Sequence, residues 1–384
     1  MPNFPKKLEK KLQKRRIENA FRELPNEQQL VDFSSNDYLG LSRCSEIRGK
    51  AEFLLRDRKI TKHGATGSRL LTGNHLLYGD VEALLCKQYN TDAALVFNSG
   101  YNANIGLFSS VPQKGDFIFY DELIHASIRE GISMSYAKSY KFRHNNLEDL
   151  KDKIEALYGT RSGYETSEIY VVTESVFSMD GDSPDLKSFE VFCSKKGFHL
   201  ILDEAHAIGV FGKGLVEEVG ISDSVFARII TFGKAMGGHG AAILGRNPLK
   251  DYLVNFARSL IYTTAMPPHA LAIVLASHSF LETEGTKGQE QLHANIGFFK
   301  QEILRLNLES HFVNSNSAIH CMVLPGNQKV KELSSLLRKG GFDVKPILSP
   351  TITKGKERLR FCLHSYNSTK EISKVLSLVK AQID

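Results

Sequence analysis

The sequence predicts an α/β protein: a large domain on a mostly parallel sheet, followed by a smaller α+β domain toward the C-terminal end. Three observations carry this. Between about residues 45 and 280, short runs rich in β-branched and aromatic residues alternate with helical runs. Those strand-like runs are continuously apolar, as in strands covered by helices on both faces. After about residue 281 the rhythm changes, and 384 residues exceed what one ordinary core organises.

In order along the chain, KKLEKKLQKRRIENAFRELPN places Leu8, Leu12, Ile17, Phe21 and Leu24 at roughly helical spacing. Residues 1–29 hold eight Lys/Arg and four Glu, so most of the net charge of +6 sits there. This start reads as a helix docked on the body. A membrane-surface helix and a transit peptide are the other readings. Its Glu residues argue against transit, and it lacks the apolar region of a secretory signal.

Residues 1–44 form the N-terminal helix and segment, and the large domain is expected over 45–281. Within it AALVF (93–97) precedes a helical stretch from Ser99–Gly100, and DFIFY (116–120) precedes HASIREGISM. EIYVVTES (168–175) precedes DLKSFEVFCSKKG; HLILDEAH (199–206), RIITF (228–232) and AAILG (241–245) follow. The small domain is expected over 282–384. There a polar stretch, ETEGTKGQEQ, leads into a long amphipathic helix. AIHCMVLP, a helix around 328–339, FDVKPI, RLRFCLH and a final helix come next.

Composition excludes several classes. An apolar fraction of 42% with 24% charged residues is that of a soluble globular protein. No apolar run approaches the roughly 20 residues that span a bilayer. Cys44, Cys86, Cys193, Cys321 and Cys362 are scattered without a CxxC pair. That argues for a reducing, cytoplasmic setting and against a disulfide frame or a zinc site. Beyond the basic start the charge is near neutral, which weakens a nucleic-acid surface. DEAH matches a helicase box, but no GxxxxGK[ST] cradles a nucleotide, and no GxGxxG fingerprint is present. Asp203, Glu204 and His206 alternate faces at a strand end, so no metal site is read from them.

Ligands of parallel sheets sit beyond the carboxyl ends of the strands. The residues expected there are Asn98–Ser99–Gly100–Tyr101, Asp121, His125, Glu174–Ser175, Ser178, Asp203, His206, Thr231 and Lys234. Asn98–Ser99–Gly100 reads as an ordinary strand–helix turn or as a phosphate cup, since free N–H groups at a helix start hold anions. Lys234 follows an apolar strand and lies among Gly233, Gly237, Gly238 and Gly240, where a flat ring can approach closely. Desolvation would make its amine nucleophilic toward an aldehyde. A lysine for a Schiff base, an acid such as Asp203 for a ring nitrogen, and a phosphate cup together describe pyridoxal 5'-phosphate (PLP).

FSSNDYLGLS (33–42), VFNSGYNAN (96–104), ELIHASI (122–128), VTESVFSMDGD (172–182), LILDEAHAIGVFG (200–212), TFGKAMGG (231–238) and IYTTAMPP (261–268) resemble, in family order, the α-oxoamine synthases. These are fold-type-I PLP enzymes that condense an amino acid with an acyl-CoA and lose CO2. The resemblance implies a PLP-dependent transferase of that fold. It implies that Lys234 bonds to the cofactor, Asp203 pairs with the pyridine N–H, His206 bonds the ring oxygen and His125 stacks on the ring. Gly100 and Tyr101 would hold the cofactor through the helix start, with Ser178 and Thr231 adding polar contacts. Thr264 would reach the phosphate of a neighbouring subunit's cofactor, which implies a homodimer with a shared active site. Asn36 would lie near the substrate, Arg360 would bind the amino acid's carboxylate, and Arg22 and Thr351 match positions that contact the acyl group.

GDSPDL (181–186) after FSMD resembles the biotin-pathway branch, which uses L-alanine and a pimeloyl thioester carried by CoA or acyl carrier protein. Glycine with acetyl-CoA, or another amino acid and acyl-chain specificity, is the alternative within the family. A catalytically silent partner subunit of the same fold is the alternative outside it, but both Lys234 and Asp203 are present. Two stretches depart from the family pattern. KGLVEEVG stands where a Gly-Arg-Gly is usual, and Leu348–Ser349 stands where relatives often have Arg and Pro. No nucleic acid or membrane partner is expected.

Overall fold

The computed structural model describes residues 4–24, 29–159 and 167–383. The chain divides into two compact units. One comprises residues 1–38, 179–182 and 291–384, and the other residues 39–178 and 183–290.

The larger unit is built on a sheet of β1 (Ala93–Phe97), β2 (Phe117–Asp121), β3 (Lys138–Phe142), β4 (Ile169–Glu174), β5 (His199–Asp203), β6 (Val225–Thr231) and β7 (Ala241–Gly245). Their order is β1-β7-β6-β5-β4-β2-β3. β7 runs antiparallel to both its neighbours, and the remaining pairs are parallel. The sheet is therefore mixed but mostly parallel, as expected. β3 is the strand that the apolar pattern does not reveal. It is an edge strand, and the first four residues of KSYKF are exposed, so nothing forces them to be apolar.

The period-2 alternation of strand side chains sorts the core into two layers. Ile118, Val172, Ile201 and Ile229 pack with α1 (Gly100–Ser110) and α2 (Ala126–Met134) through Ala103, Leu107, Ile128 and Ile132. Phe119, Val171, Leu200 and Leu202 face the other way, onto Leu186, Phe189 and Cys193 of α3 (Leu186–Lys196). α3 starts where Asp185 accepts the amide of Ser188 and ends at Gly197, whose φ of 72° is the left-handed stop expected of glycine. α1 and α2 touch closely: a Cβ on Gly131 would lie 2.9 Å from the carbonyl oxygen of Asn104.

The polar stretch 282–291, expected as a lead-in, is mostly helical. A helix from Gly285 to Arg305 begins inside it, because Lys, Gln and Glu are good helix formers. In the smaller unit, β8 (Ile319–Val323), β9 (Lys345–Ile347) and β10 (Arg358–Cys362) form an antiparallel sheet in the order β9-β10-β8. Val31–Asp32 pairs in parallel with Phe342–Asp343. Helices Asn327–Lys339 and Thr369–Ile383 complete the unit. The N-terminal helix forms over Lys6–Ile17, but none of its residues is buried. The expected docking of its apolar positions onto the body is thus not observed: Leu8 and Leu12 are nearly half exposed and Ile17 is 81% exposed.

Candidate active site

The carboxyl ends of β4, β5 and β6 are brought into line by register, with Glu174 beside Asp203 and Asp203 beside Ile229. After β6 the chain makes a closed loop. The amide of Phe232 donates to the Gly240 carbonyl at 2.9 Å, and the amide of Gly238 donates back to Phe232 at 2.7 Å. The Thr231 hydroxyl donates to Gly240 O at 3.1 Å, and the Gly237 amide to Lys234 O at 2.8 Å. Gly237 has φ of +64°, and a Cβ there would stand 2.3 Å from the amide nitrogen of Ser42. The glycines that surround Lys234 in sequence thus permit a tight turn that a side chain would break.

That turn presents Lys234, whose Nζ lies 2.7 Å from Nε2 of His206, itself buried. Asp203, at the end of β5, is buried. Its Oδ1 accepts the amide of Ala205 at 2.9 Å and its Oδ2 accepts Nδ2 of Asn104 at 3.0 Å. The same Asn104 amide donates to Ser127 Oγ at 3.0 Å, which lies 2.7 Å from Nδ1 of His125. The Ser127 amide also points at Nδ1, at 3.2 Å. Nδ1 therefore accepts, and this network assigns the proton of neutral His125 to Nε2. Surrounding protein desolvates the His125 ring although part of it stays exposed. That desolvation lowers its pKa against the pull of Asp203, and Lys234 adds to the lowering.

Glu174 completes the cluster. It accepts the backbone amide of His125 at 2.5 Å. Burial, then the neighbouring Asp203, push its pKa well above the ordinary value, while Lys234 pulls the other way.

At the start of α1, Ser99 Oγ accepts the amide of Asn102 at 3.1 Å. The amides of Gly100 and Tyr101 belong to the first turn, which has no helical acceptor for them. Thr231 flanks this helix start, with its Oγ1 3.8 Å from the position of a Cβ on Gly100. Asn98 Nδ2 donates to Thr263 Oγ1 at 3.0 Å, and the adjoining Thr264 is exposed. Ser178 lies in the turn after β4. An amine, a buried carboxylate, a flat imidazole and a helix start flanked by hydroxyls match the aldehyde, ring nitrogen, ring face and phosphate of PLP. The larger unit therefore carries a donor set that fits this cofactor.

The smaller unit carries the other four expected residues, as two pairs. Arg360 Nη2 donates to Asn36 Oδ1 at 3.0 Å, and Arg360 is buried. Arg22 Nη2 donates to Thr351 Oγ1 at 2.8 Å. Glu204 of DEAH belongs to neither set. It is fully buried, paired with Arg228, and accepts the amide of Val216 at 3.0 Å. It braces the KGLVEEVG stretch that departs from the family pattern. Asn104 lies in VFNSGYNAN and Ser127 in ELIHASI, where nothing local marks either as part of the site. Only the crossing of α1 and α2 shows that one amide reaches both Asp203 and the serine beside His125.

The sequence pattern of the aminotransferase class I and II family matches residues 28–377. An 8-amino-7-oxononanoate synthase of Emericella nidulans is 38% identical over 375 residues, 91% of this chain and 88% of that protein. One of Chlorobaculum parvum is 34% identical, with 92% of this chain and 89% of that protein covered. Among solved structures, a lysine-to-alanine variant of serine palmitoyltransferase from S. paucimobilis with a bound PLP–myriocin aldimine superposes with a TM-score of 0.86 at 26% identity, over 98% of this chain and 96% of that one. The 8-amino-7-oxononanoate synthase of Francisella tularensis gives 0.76 at 29% identity, over 93% and 98%.

Proposed function

The chain belongs to the aminotransferase class I and II family, in its α-oxoamine synthase group, and we propose that it joins L-alanine to a pimeloyl thioester in biotin synthesis. It is a PLP-dependent acyltransferase. The observation that carries the reading is the Lys234 amine, held 2.7 Å from His206 at the strand ends that also bear Asp203. The products are 8-amino-7-oxononanoate, CO2 and the free thiol carrier. A bond forms between alanine Cα and the acyl carbonyl carbon, and the C–S bond and the bond to the alanine carboxylate break.

Bound PLP supplies an electron sink that lets bonds to the alanine Cα break. Every other task falls to side chains. Lys234 would hold the aldehyde end of the cofactor, and its amine would take the alanine Cα proton and later return one to the product. Asp203 keeps a proton on the ring nitrogen, and Asn104 and the Ala205 amide aim it. His125, neutral near pH 7, would lie against the cofactor ring, and His206 would donate or accept a hydrogen bond at the ring's oxygen. The helix-start amides of Gly100 and Tyr101, with Ser178 and Thr231, hold the rest of the cofactor. Arg360, braced by Asn36, binds the alanine carboxylate through its guanidinium fork. Arg22 and Thr351 meet the acyl chain. Thr264, exposed in one chain, reaches the cofactor of a second copy in a cytoplasmic homodimer.

The test is product formation. Purified protein with PLP, L-alanine and pimeloyl-CoA should release free CoA and 8-amino-7-oxononanoate, read by mass spectrometry. Glycine with acetyl-CoA is the first comparison. The likeness to serine palmitoyltransferase makes L-serine with palmitoyl-CoA the second. Faster turnover of either pair would overturn the substrate assignment and leave the cofactor site standing.

A further inference from the structure

The N-terminal helix is the part of the sequence that the reaction does not use. It spans Lys6–Ile17 and buries no residue. At about 100° per residue, Lys6, Lys7, Lys10, Lys11 and Lys14 share one arc of roughly 140°. Leu8 and Leu12 lie on the other side. Lys6/Lys10, Lys7/Lys11 and Lys10/Lys14 are like-charge neighbours one turn apart, each of which opposes helix formation. Lys14 lies 3.7 Å from Glu18, which offsets one end of the face. The remaining lysines repel one another and cover no core, a surface that favours an anionic partner.

The end of this helix is fixed to the acyl-contact pair of the same unit. The carbonyl of Glu18 accepts Nδ2 of Asn327 at 2.9 Å, and Asn327 Oδ1 accepts the amide of Ser349 at 2.9 Å. Two residues on, Thr351 holds Arg22 at 2.8 Å. Asn19 adds a 2.9 Å bond to Gln328. The lysine face is therefore tethered beside the residues assigned to the acyl chain.

We propose that this lysine face docks an acidic carrier protein that delivers the acyl thioester; the inference rests on the function proposed above. Twelve residues give a face about 18 Å long, which suits an acidic helix better than the compact phosphates of a free nucleotide thioester. Leu8, Leu12 and Ile17 are the exposed large apolar residues of the helix, and Ile17 falls among the lysines, so they make no continuous apolar face for an interfacial membrane helix. Beyond residue 29 the chain is near neutral, which disfavours a nucleic acid.

The experiment compares wild type with the combined Lys7→Glu, Lys10→Glu and Lys14→Glu variant. Binding of a fluorescently labelled, pimeloyl-loaded acyl carrier protein is measured by anisotropy, and turnover is measured separately with that carrier and with pimeloyl-CoA. The variant should bind the carrier roughly tenfold more weakly or worse, and raise its KM to match. Its kinetics with pimeloyl-CoA should stay within about twofold of wild type, and raising salt should weaken wild-type binding similarly. Equal carrier binding by the two proteins overturns the proposal. So does an equal KM rise with pimeloyl-CoA, which would place the effect at the acyl site. Wild-type binding to phosphatidylglycerol vesicles without carrier binding would assign the helix to a membrane instead. Carrier binding that needs the lysines, with turnover of neither thioester, would sink the reaction and leave the docking surface in place.

Discussion

Replacing Asn104 with alanine removes a side chain that ties Asp203 to the His125 support. Asn104 is 2% exposed, and its amide nitrogen serves both Asp203 Oδ2 and Ser127 Oγ at 3.0 Å. A hydrogen bond to a charged group contributes about 1.5–3 kcal/mol and a neutral one about 1 kcal/mol. Two effects oppose each other, because Asn104 Oδ1 has no hydrogen-bond partner among the described residues and its removal recovers some desolvation cost. The carboxylate term wins at the cofactor, since Asp203 keeps only the Ala205 amide from this network and loses its aim. His125 is affected less, because both Ser127 contacts to its Nδ1 survive. Asn104→Ala should therefore weaken PLP binding by roughly 10- to 100-fold, or about 1.4–2.8 kcal/mol, with a parallel loss of kcat. Asn104→Asp should lose more, because two adjoining carboxylates cannot both ionise freely. The assay is a PLP titration followed by absorbance, with kcat at saturating cofactor. PLP affinity and kcat within about twofold of wild type in Asn104→Ala would refute the argument that this amide aims Asp203.

Gly237→Ala puts a Cβ 2.3 Å from backbone at a φ of +64°, so it should cost about 2 kcal/mol or more, read as a lower urea midpoint with reduced PLP occupancy. Arg360→Lys keeps the charge but loses the planar fork, so the KM for L-alanine should rise roughly tenfold with a smaller change in kcat, from steady-state kinetics with alanine varied. His278 is buried, with its pKa lowered to about 4 chiefly by desolvation, so the folded state refuses a proton that the unfolded chain takes up below about pH 6.5. Stability should be fully present above that pH and fall by roughly 2 kcal/mol on going to pH 5. His278→Phe should remove that share of the fall in urea melts at the two pH values.

Most of the sheet was legible because its strands are apolar on both faces; AALVF and AAILG match β1 and β7 residue for residue. β3 was not, since an exposed edge strand leaves no apolar signature. Nor was the reversed direction of β7, because direction is set by connections and leaves no mark on composition. Lys234, Asp203 and His206 could be singled out because strand ends and glycines mark where a ligand is approached. The pairs Arg22–Thr351 and Asn36–Arg360 join residues more than 300 positions apart, and no local pattern links them. Asn104 was hidden for a related reason. It lies in a helix interior, and its importance comes from α1 and α2 crossing closely at Gly131.

The central claim is that Lys234 carries the cofactor. The most direct test is to incubate the protein with PLP, reduce with borohydride, digest, and map the added cofactor mass by peptide sequencing. The account predicts the mass on the peptide containing TFGKAMGG, at Lys234, and its loss in Lys234→Ala together with turnover. Cofactor mass on a different lysine, or none on any peptide of a protein that binds PLP, would contradict it.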